Sequence, residues 1–340
     1  MKKIWIGLLT LSLLLIPQIA HADGADFTVA TVQNQYQNPT NNGYFALKMP
    51  AKAETDLKVT IYNTGTTPET FNLAVNSGVT NLNTALDYAK TPAKGTLSVP
   101  QNLQFSQIAS LPQKEVTVAP GANTVVRVHL KLPDVSFAGK LLGGITVTRQ
   151  IETNEKKTTV LTDQFAYAVP IVIRQNDDAV TPKLTATHLK LLTANHNNNL
   201  VADIQNVTPT ILNGVTLKSE LVDQSGRVVF SKTDSNHSIA PQSNFTYRSS
   251  LGNQSFASGR YTYRLTVTDN ANHTWTWQQP LTLNQSQSDS INNTAKHNTV
   301  KKPINWIIIG MIAMAVVIFL LLAAVGYLLF KRSKQKSQTK

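Results

Sequence analysis

Apolar and polar residues alternate with a period of two through most of the chain, and no other sequence feature constrains the fold as strongly. In one example, Val126, Val128 and Leu130 alternate with Arg127 and His129. This spacing is typical of a β-strand with one buried face. Turns rich in Pro, Gly and Asn separate such segments, and no long run with a period of 3.6 lies between them. The pattern predicts an all-β protein built from β-sandwiches.

Two blocks of predicted strands are separated by a polar segment at residues 177–184 that begins Asp177-Asp178. We expect a first β-sandwich domain at residues 23–176 and a second at residues 185–284. Both are expected to be immunoglobulin-like, since each block has short alternating strands bounded by turns. In the second block, two alternating segments flank residues 223–226 and predict a β-hairpin.

The segment that follows the second block has almost no apolar side chains. Residues 285–303 are dominated by Gln, Ser, Asn and Thr. A segment of this composition cannot bury enough apolar surface to offset the entropy of ordering it. We therefore expect a flexible stalk at residues 285–303.

Residues 1–22 have the organisation of a secretory signal peptide. Lys2 and Lys3 form a positive start, residues 4–16 form an apolar stretch, and Ala20-His21-Ala22 resembles a cleavage site. The alternative, an uncleaved membrane anchor, requires a longer apolar run. We expect export followed by cleavage.

A second apolar run occupies residues 306–330 and has no polar stripe. At ~1.5 Å per residue it spans about 37 Å, enough to cross a ~30 Å hydrocarbon core. Cationic residues crowd the segment that follows, and the positive-inside rule then places the C-terminus in the cytoplasm. We predict a transmembrane helix at residues 304–330 and a basic cytoplasmic tail at 331–340, which also could bind anionic lipid. The expected product is a single-pass protein of the cell membrane whose N-terminal ectodomain faces the cell wall.

The net charge of +12 is concentrated at the two ends. Seven of the 31 Lys and Arg residues lie in the first three and last ten residues, so the region between them exceeds its 19 acidic residues by only five. No basic stripe interleaves with aromatic residues there, so we expect no nucleic-acid binding. A weak positive excess is compatible with attraction to an anionic wall polymer.

The sequence contains no signature of a common catalytic or metal site. The chain has no cysteine, and its seven histidines are scattered. None of the usual signatures of metalloproteases, serine hydrolases, nucleotide-binding loops or dinucleotide-binding folds occurs. We therefore expect no enzymatic activity, no metal site and no cofactor.

The least regular part of the first block is the segment 76–111, which contains Asn81, Asp87 and Tyr88. Long irregular loops on a rigid scaffold often carry binding residues. They are also often only connections, and the sequence does not decide between these two interpretations. Asn81, Asp87 and Tyr88 are therefore candidate ligand-binding residues.

Aromatic and glycine residues supply the remaining candidates. Tyr44, Trp275 and Trp277 could stack on sugar rings, although aromatic residues at alternate strand positions more often pack into the core. Gly143 and Gly144 open a predicted strand and could contact a ligand through the backbone. A bend or a close approach of another segment is the alternative explanation for a glycine pair at that place.

Several motifs, and the order of the predicted elements, resemble the WxL-interacting protein family of Gram-positive surface proteins. The resemblance covers almost the whole mature chain, from about Phe27 through the tail. Its motifs are Asn34-Gln35, Tyr44-Phe45-Ala46-Leu47, Leu86-Asp87-Tyr88 and Leu142-Gly143-Gly144-Ile145 in the first block, with Gly259-Arg260-Tyr261 and Trp275-Thr276-Trp277 in the second. Ala46 stands where the family commonly has an acidic residue.

The resemblance implies a non-enzymatic adaptor anchored in the membrane. Its first domain would bind peptidoglycan, and its second would bind a host extracellular protein or retain secreted WxL-domain proteins at the surface. A purely protein-binding subunit without direct wall contact remains the alternative, and a wall hydrolase is a third hypothesis.

Overall fold

A computed structural model describes residues 26–38, 43–150, 165–194 and 197–297, together with the helical residues 310–311, 314, 316–318, 320–321 and 324–325. The predicted signal peptide and cytoplasmic tail lie outside the described residues. Strands predominate within the described part, which confirms the all-β expectation. The strands are β1 (Phe27–Thr31), β2 (Phe45–Lys48), β3 (Glu54–Asn63), β4 (Glu69–Ser77), β5 (Val79–Thr80), β6 (Leu86–Asp87), β7 (Ala109–Ser110), β8 (Glu115–Val118), β9 (Asn123–Lys131), β10 (Leu141–Arg149), β11 (Ala166–Arg174), β12 (Leu184–Ala194), β13 (Asn197–Asn206), β14 (Leu212–Asp223), β15 (Val228–Ile239), β16 (Asn244–Ser250), β17 (Gly259–Thr268) and β18 (Thr274–Leu283). The helices are a 3₁₀ turn at Gln101–Leu103, α1 (Phe105–Ile108) and α2 (Gln285–His297).

The first domain is formed by two sheets whose apolar faces meet. One sheet has the strand order β1-β3-β9-β7, and the other has the order β2-β11-β10-β4-β8, in which β2 is parallel to β11. The core takes Leu57 and Val128 from the first sheet and Phe45, Ile145 and Ile171 from the second. The alternation seen in the sequence thus directs one side of each sheet into a shared core.

The second domain repeats this two-layer arrangement with the sheets β12-β13-β16 and β15-β14-β17-β18. Leu200 and Phe245 from the smaller sheet meet Leu217, Tyr263 and Leu265 from the larger one. The hairpin predicted around residues 223–226 is confirmed, because β14 and β15 pair antiparallel on either side of it.

The segment between β11 and β12 is held by ion pairs near its start. Asp177 contacts the Lys48 ammonium and lies 2.9 Å from Nε of Arg174. The hydrogen bond from Lys48, with the charges of Lys48 and Arg174, lowers the pKa of Asp177 below its usual range. Asp177 is therefore a structural contact between the linker and the first domain.

The structure corrects the prediction of a flexible stalk for residues 285–297, because these residues form α2. Ile291 and Ala295 are 1% and 3% exposed and belong to the buried part of the second domain. The Asn198 side chain donates to the carbonyl of Ile291 over 2.9 Å, and Ser288 donates to Phe256 O over 2.5 Å. Two well-placed apolar side chains are enough to dock an otherwise polar helix, which composition averaged over the segment does not reveal.

The membrane span predicted at residues 304–330 lies mostly outside the described residues. The residues that are described between 310 and 325 are helical and exposed. Within the described part of the chain, no helix combines the length and the apolar character required to cross a bilayer.

Candidate functional site

Five of the eight residues selected from the sequence lie on or beside a hairpin of the first domain that reaches the second domain. Asn81, Asp87 and Tyr88 belong to the β5–β6 hairpin or follow it directly, and this hairpin contacts β15 and β16 of the second domain. Gly143 and Gly144 lie beside it on β10. The irregular segment of the first domain is therefore part of the junction between the domains.

The two glycines allow aromatic rings to lie directly on the strand. A Cβ atom added to Gly143 would lie 2.5 Å from ring carbons of Phe105, and one added to Gly144 would lie 2.6 Å from Cγ of Tyr88. Any larger residue would displace these rings. Both glycines are buried, so in this structure they serve the close approach of another segment and are not open to a ligand.

Tyr88 is also enclosed at the junction. It is 6% exposed and packs with Leu142 and Ala240, a residue of the second domain. Burial, with a smaller contribution from the charge of Asp87, raises the pKa of Tyr88 to about 12. The tyrosine therefore acts as an apolar contact between the domains.

Asn81 and Asp87 shape the hairpin through bonds to its own backbone. Asn81 Oδ1 accepts hydrogen bonds from the N–H groups of Asn83 and Ala85 at 2.9 and 3.2 Å. Asp87 Oδ1 accepts one from the N–H of Ala89 at 2.8 Å. These are turn-forming bonds of the kind that Asn and Asp commonly make. Both side chains are half-buried, so part of each remains open to solvent.

A buried hydroxyl network links the hairpin to the second domain. Thr80 Oγ1 accepts from the N–H of Ala240 at 2.9 Å and lies 2.9 Å from Ser243 Oγ. Ser243 in turn donates to the carbonyl of Ala240 over 2.9 Å. Because Thr80 and Ser243 are 4% and 0% exposed, these bonds are made away from water.

Backbone bonds extend the junction on both sides of this network. Asn244 N donates to Thr96 O, and Ser98 N donates to Gln242 O, both over 2.8 Å. Lys140 N donates to the carbonyl of Pro209 over 2.7 Å. The two domains are thus joined by buried contacts as well as by the linker.

Of the three remaining aromatic candidates, Tyr44 lies in the first domain and the two tryptophans lie in the second. Tyr44 precedes β2, is half-buried, and accepts a bond at its carbonyl from the Gln37 side chain at 2.9 Å. Trp275 and Trp277 lie on the edge strand β18 and pack, half-buried, against the core of the second domain. The structure does not bring Tyr44 together with the two tryptophans in one sheet.

A groove in the first domain contains part of one of the quoted motifs. It has a volume of about 310 Å³ and is lined by Asn34, Gln35, Asp56 and Lys58 among others. Asn34 Nδ2 donates to Thr55 Oγ1 at 2.7 Å, which holds the 32–35 segment against β3. The groove presents both charges and amide groups, so it can exchange hydrogen bonds with a polar ligand.

The outer face of β3 and β9 beside this groove carries paired charges. His129 lies 2.9 Å from Asp56 and 3.1 Å from Glu54, and Lys131 lies 3.1 Å from Glu54. His129 thus lies on the solvent face, as its place in the alternation predicts. Among the described residues, no group of three or more His, Cys, Asp or Glu side chains is arranged to hold a metal ion.

The sequence did not point to a cavity of about 450 Å³ that lies at the junction. Lys94, His188, Asp203, Asn244 and Thr246 are among its lining residues. They are distributed over four separate segments and form no sequence motif. Only knowledge of which strands pair would have shown that these residues lie close together.

Comparison with solved structures finds several chaperones at low similarity. The Pseudomonas aeruginosa CupB2 chaperone is 16% identical, with 67% of this chain and 92% of that chain covered and a TM-score of 0.28. The E. coli chaperone DraB is 14% identical, with coverages of 69% and 93% and a TM-score of 0.28. The YadV chaperone is 11% identical, with coverages of 75% and 100% and a TM-score of 0.32. TM-scores this low support no conclusion about function.

Comparison of the sequence with known proteins identifies a family but no individual relative. No curated protein matches the chain. Residues 27–149 match the family described as WxL Interacting Protein, peptidoglycan binding domain. Residues 156–293 match the family described as WxL Interacting Protein, host binding domain. Both matches name the same kind of protein and together they cover most of the chain, so the chain belongs to the WxL-interacting protein family.

Proposed function

We propose that this protein is a membrane-anchored adaptor of the cell surface that binds peptidoglycan through its first domain and a protein through its second. The observation that carries the proposal is the pair of family matches, which assigns a wall-binding and a host-binding description to consecutive domains. Both descriptions are of binding modules, so the adaptor requires no catalytic residues. The protein partner is a host extracellular protein or a secreted WxL-domain protein.

The groove at Asn34, Asp56 and Lys58 is the wall-contact site that we favour in the first domain. Glycan hydroxyl and amide groups need both donors and acceptors, and this groove offers carboxylate, ammonium and amide groups together. Its motif Asn34-Gln35 also contributes to the family resemblance. Three further candidates on the first domain, Tyr44, Asn81 and Asp87, are half-exposed. We propose that they are additional peptidoglycan contacts outside the groove.

Trp275 and Trp277 are the corresponding candidates for the protein contact in the second domain. Both lie on β18, which pairs with β17 on one side only and forms an edge of its sheet. An added strand would place its side chains beside the half-buried indole rings. Strand addition of this kind is a common mode of protein recognition.

The strand order supports an immunoglobulin-like classification for both domains. In the first domain, β2 pairs parallel to β11 while β1, the preceding strand, pairs with β3 in the opposite sheet. A first strand divided between two sheets is compatible with that architecture. In the second domain, sheets of three and four strands face each other across one core.

The anchor and its orientation rest on the ends of the sequence. A signal peptide at residues 1–22 would export the chain, and a span at residues 304–330 followed by cations would retain it in the cell membrane. The two binding domains would then project toward the wall.

Retention on insoluble peptidoglycan tests the wall-binding half of the proposal. The purified full chain in detergent should sediment with peptidoglycan at moderate salt, and the double substitution Asp56→Ala and Lys58→Ala should reduce the bound fraction. Lys52→Ala with Asp134→Ala is the matched control, because it removes an exposed ion pair of 2.7 Å elsewhere in the first domain. No retention of the unmodified chain would refute peptidoglycan binding.

The alternative, a subunit that binds only proteins, is favoured by the edge position of β18. In that case the peptidoglycan experiment would give no retention, while a secreted WxL-domain protein would co-purify with the chain from the native surface. A neighbouring gene for such a secreted protein would support both the wall-binding adaptor and the subunit that binds only proteins. Release of soluble muropeptides during long incubation would instead indicate a wall hydrolase.

A further inference from the structure

The cavity of about 450 Å³ at the junction has the position and composition of a small-molecule site. Its floor is the outer face of the sheet β12-β13-β16, and its wall is the segment Lys94, Gly95 and Thr96 from the first domain. Small-molecule sites usually have volumes of ~300–1,000 Å³ and often lie between domains. This cavity meets both criteria.

The floor of the cavity is a regular grid of short polar side chains. Register aligns Thr185, Gln205 and Asn244 in one row across the three strands. The next row is Thr187, Asp203 and Thr246. Every member of the grid can exchange hydrogen bonds, so the floor suits a ligand with many hydroxyl groups.

A β-bulge adds a seventh polar side chain to this floor. The register between β12 and β13 shifts between Thr187 and Lys190, and His188 has a left-handed backbone with φ of +53°. This conformation is costly for a residue with a Cβ atom. It turns the imidazole toward Asp203, whose Oδ2 lies 3.0 Å from Nδ1 of His188. Bulges commonly redirect side chains at binding sites.

One acceptor in the lining is buried and unpaired. The Asn244 side chain donates through Nδ2 to Gly95 O over 2.7 Å, which defines the orientation of its amide. Its Oδ1 then has no hydrogen-bond partner among the described residues. A buried acceptor without a partner is unusual, and it leaves one polar position in the lining unsatisfied by the protein itself.

The charges around the floor favour an anion. Lys94 belongs to the wall, while Lys190 and Arg248 occupy the next row of the sheet, aligned on either side of Val201. Asp203 is the one carboxylate in the lining, and it is engaged by His188 and by Thr246 Oγ1 at 2.6 Å. One cation thus lies in the cavity wall and two more lie one row beyond the grid, whose single negative group already has partners.

From these features we infer that the junction cavity binds an anionic sugar, with hydroxyl groups on the polar grid and a carboxylate or phosphate at Lys94. The inference concerns a different surface from the peptidoglycan groove and does not depend on it. Because the cavity is built from both domains, occupation would also reinforce the junction.

Isothermal titration of the full chain, in a detergent without a sugar headgroup, tests the inference with four defined probes. N-acetylmuramic acid and glucuronic acid carry a carboxylate, glucose 1-phosphate carries a phosphate, and N-acetylglucosamine is neutral. We expect saturable binding of at least one acidic probe and at least ten-fold weaker binding of the neutral sugar. The acidic probe that binds most tightly identifies whether the anion is carboxylate or phosphate.

Substitutions locate the site. Lys94→Ala should weaken binding of the acidic probe about ten-fold, since it removes a charge-assisted contact. Lys52→Ala removes an exposed lysine elsewhere in the first domain and should leave binding unchanged. Absence of binding by all three acidic probes, equal binding of the neutral sugar, or full binding by Lys94→Ala would each overturn the inference. Peptidoglycan retention measured in parallel separates its failure from failure of the proposed function.

Discussion

Replacing Thr80 by Val tests whether the hydroxyl network holds the domains together. The substitution keeps the shape of the side chain and removes only the oxygen that accepts from Ala240 N and contacts Ser243 Oγ, each at 2.9 Å. In the variant, the buried N–H of Ala240 has lost its acceptor, while Ser243 still donates to Ala240 O. The perturbation is therefore confined to the junction.

The expected loss of stability follows from the burial of these groups. An unsatisfied buried donor costs ~1–3 kcal/mol, and the lost contact with Ser243 adds about 0.5–1.5 kcal/mol. The added methyl group offsets up to ~0.8 kcal/mol. We expect the free energy of unfolding to fall by about 2 kcal/mol. At ~2–4 °C per kcal/mol for domains of 150–250 residues, the midpoint should fall by roughly 4–8 °C.

Differential scanning calorimetry of the full chain measures this change. Because the network joins the two domains, the variant should also show a broader transition or two separate ones. Thr117→Val is the matched control, since it removes an exposed hydroxyl that lies 2.9 Å from Thr70 Oγ1, and it should change stability by no more than ~0.5 kcal/mol. A loss in Thr80→Val that is no larger than in the control would refute the reasoning.

Three further predictions concern other parts of the fold. Gly144→Ala should destabilise the chain by about 1–3 kcal/mol in urea unfolding, because its Cβ would overlap the Tyr88 ring, and Tyr88→Ala in the same chain should remove part of that penalty. Burial raises the pKa values of Tyr88 and Tyr263 to about 12. The contribution of each neutral phenol to the free energy of unfolding is therefore fully present below pH ~10 and is lost as the pH rises to 12. Stability should therefore fall between pH 10 and 12, and replacing either tyrosine by Phe should reduce that fall. Ile291→Ala should cost ~2–5 kcal/mol locally and increase hydrogen exchange in α2, whereas unchanged exchange would mean that α2 does not depend on this contact.

The strands could be predicted from the sequence because their signal is local. The alternation through Val126, Val128 and Leu130 reflects the two-residue repeat of an extended backbone, and these side chains do enter the core. The hairpin at residues 223–226 was predictable for the same reason, since its turn lies between two adjacent alternating segments.

The candidate residues were less predictable because one residue type can serve different roles. Gly144 and Tyr88 are both candidate ligand contacts in the sequence, with a close approach of another segment as the alternative for the glycine, and the structure packs one on the other. The stalk prediction failed for residues 285–297 because Ile291 finds a site in the second domain that composition cannot reveal. In both cases the deciding partner lies far away in the sequence.

The sequence by itself determined the all-β character, the succession of two blocks and the family to which the chain belongs, because these depend on local periodicity and residue type. Tertiary structure alone decided the contact of Thr80 with Ser243 and the grid beneath Lys94. Thr80 and Ser243 are 163 positions apart and meet because the two domains pack together, whereas the grid joins residues 16 to 43 positions apart through strand register. The reason is physical: alternation specifies which face of a strand is buried, but the packing of whole sheets specifies what that face is buried against.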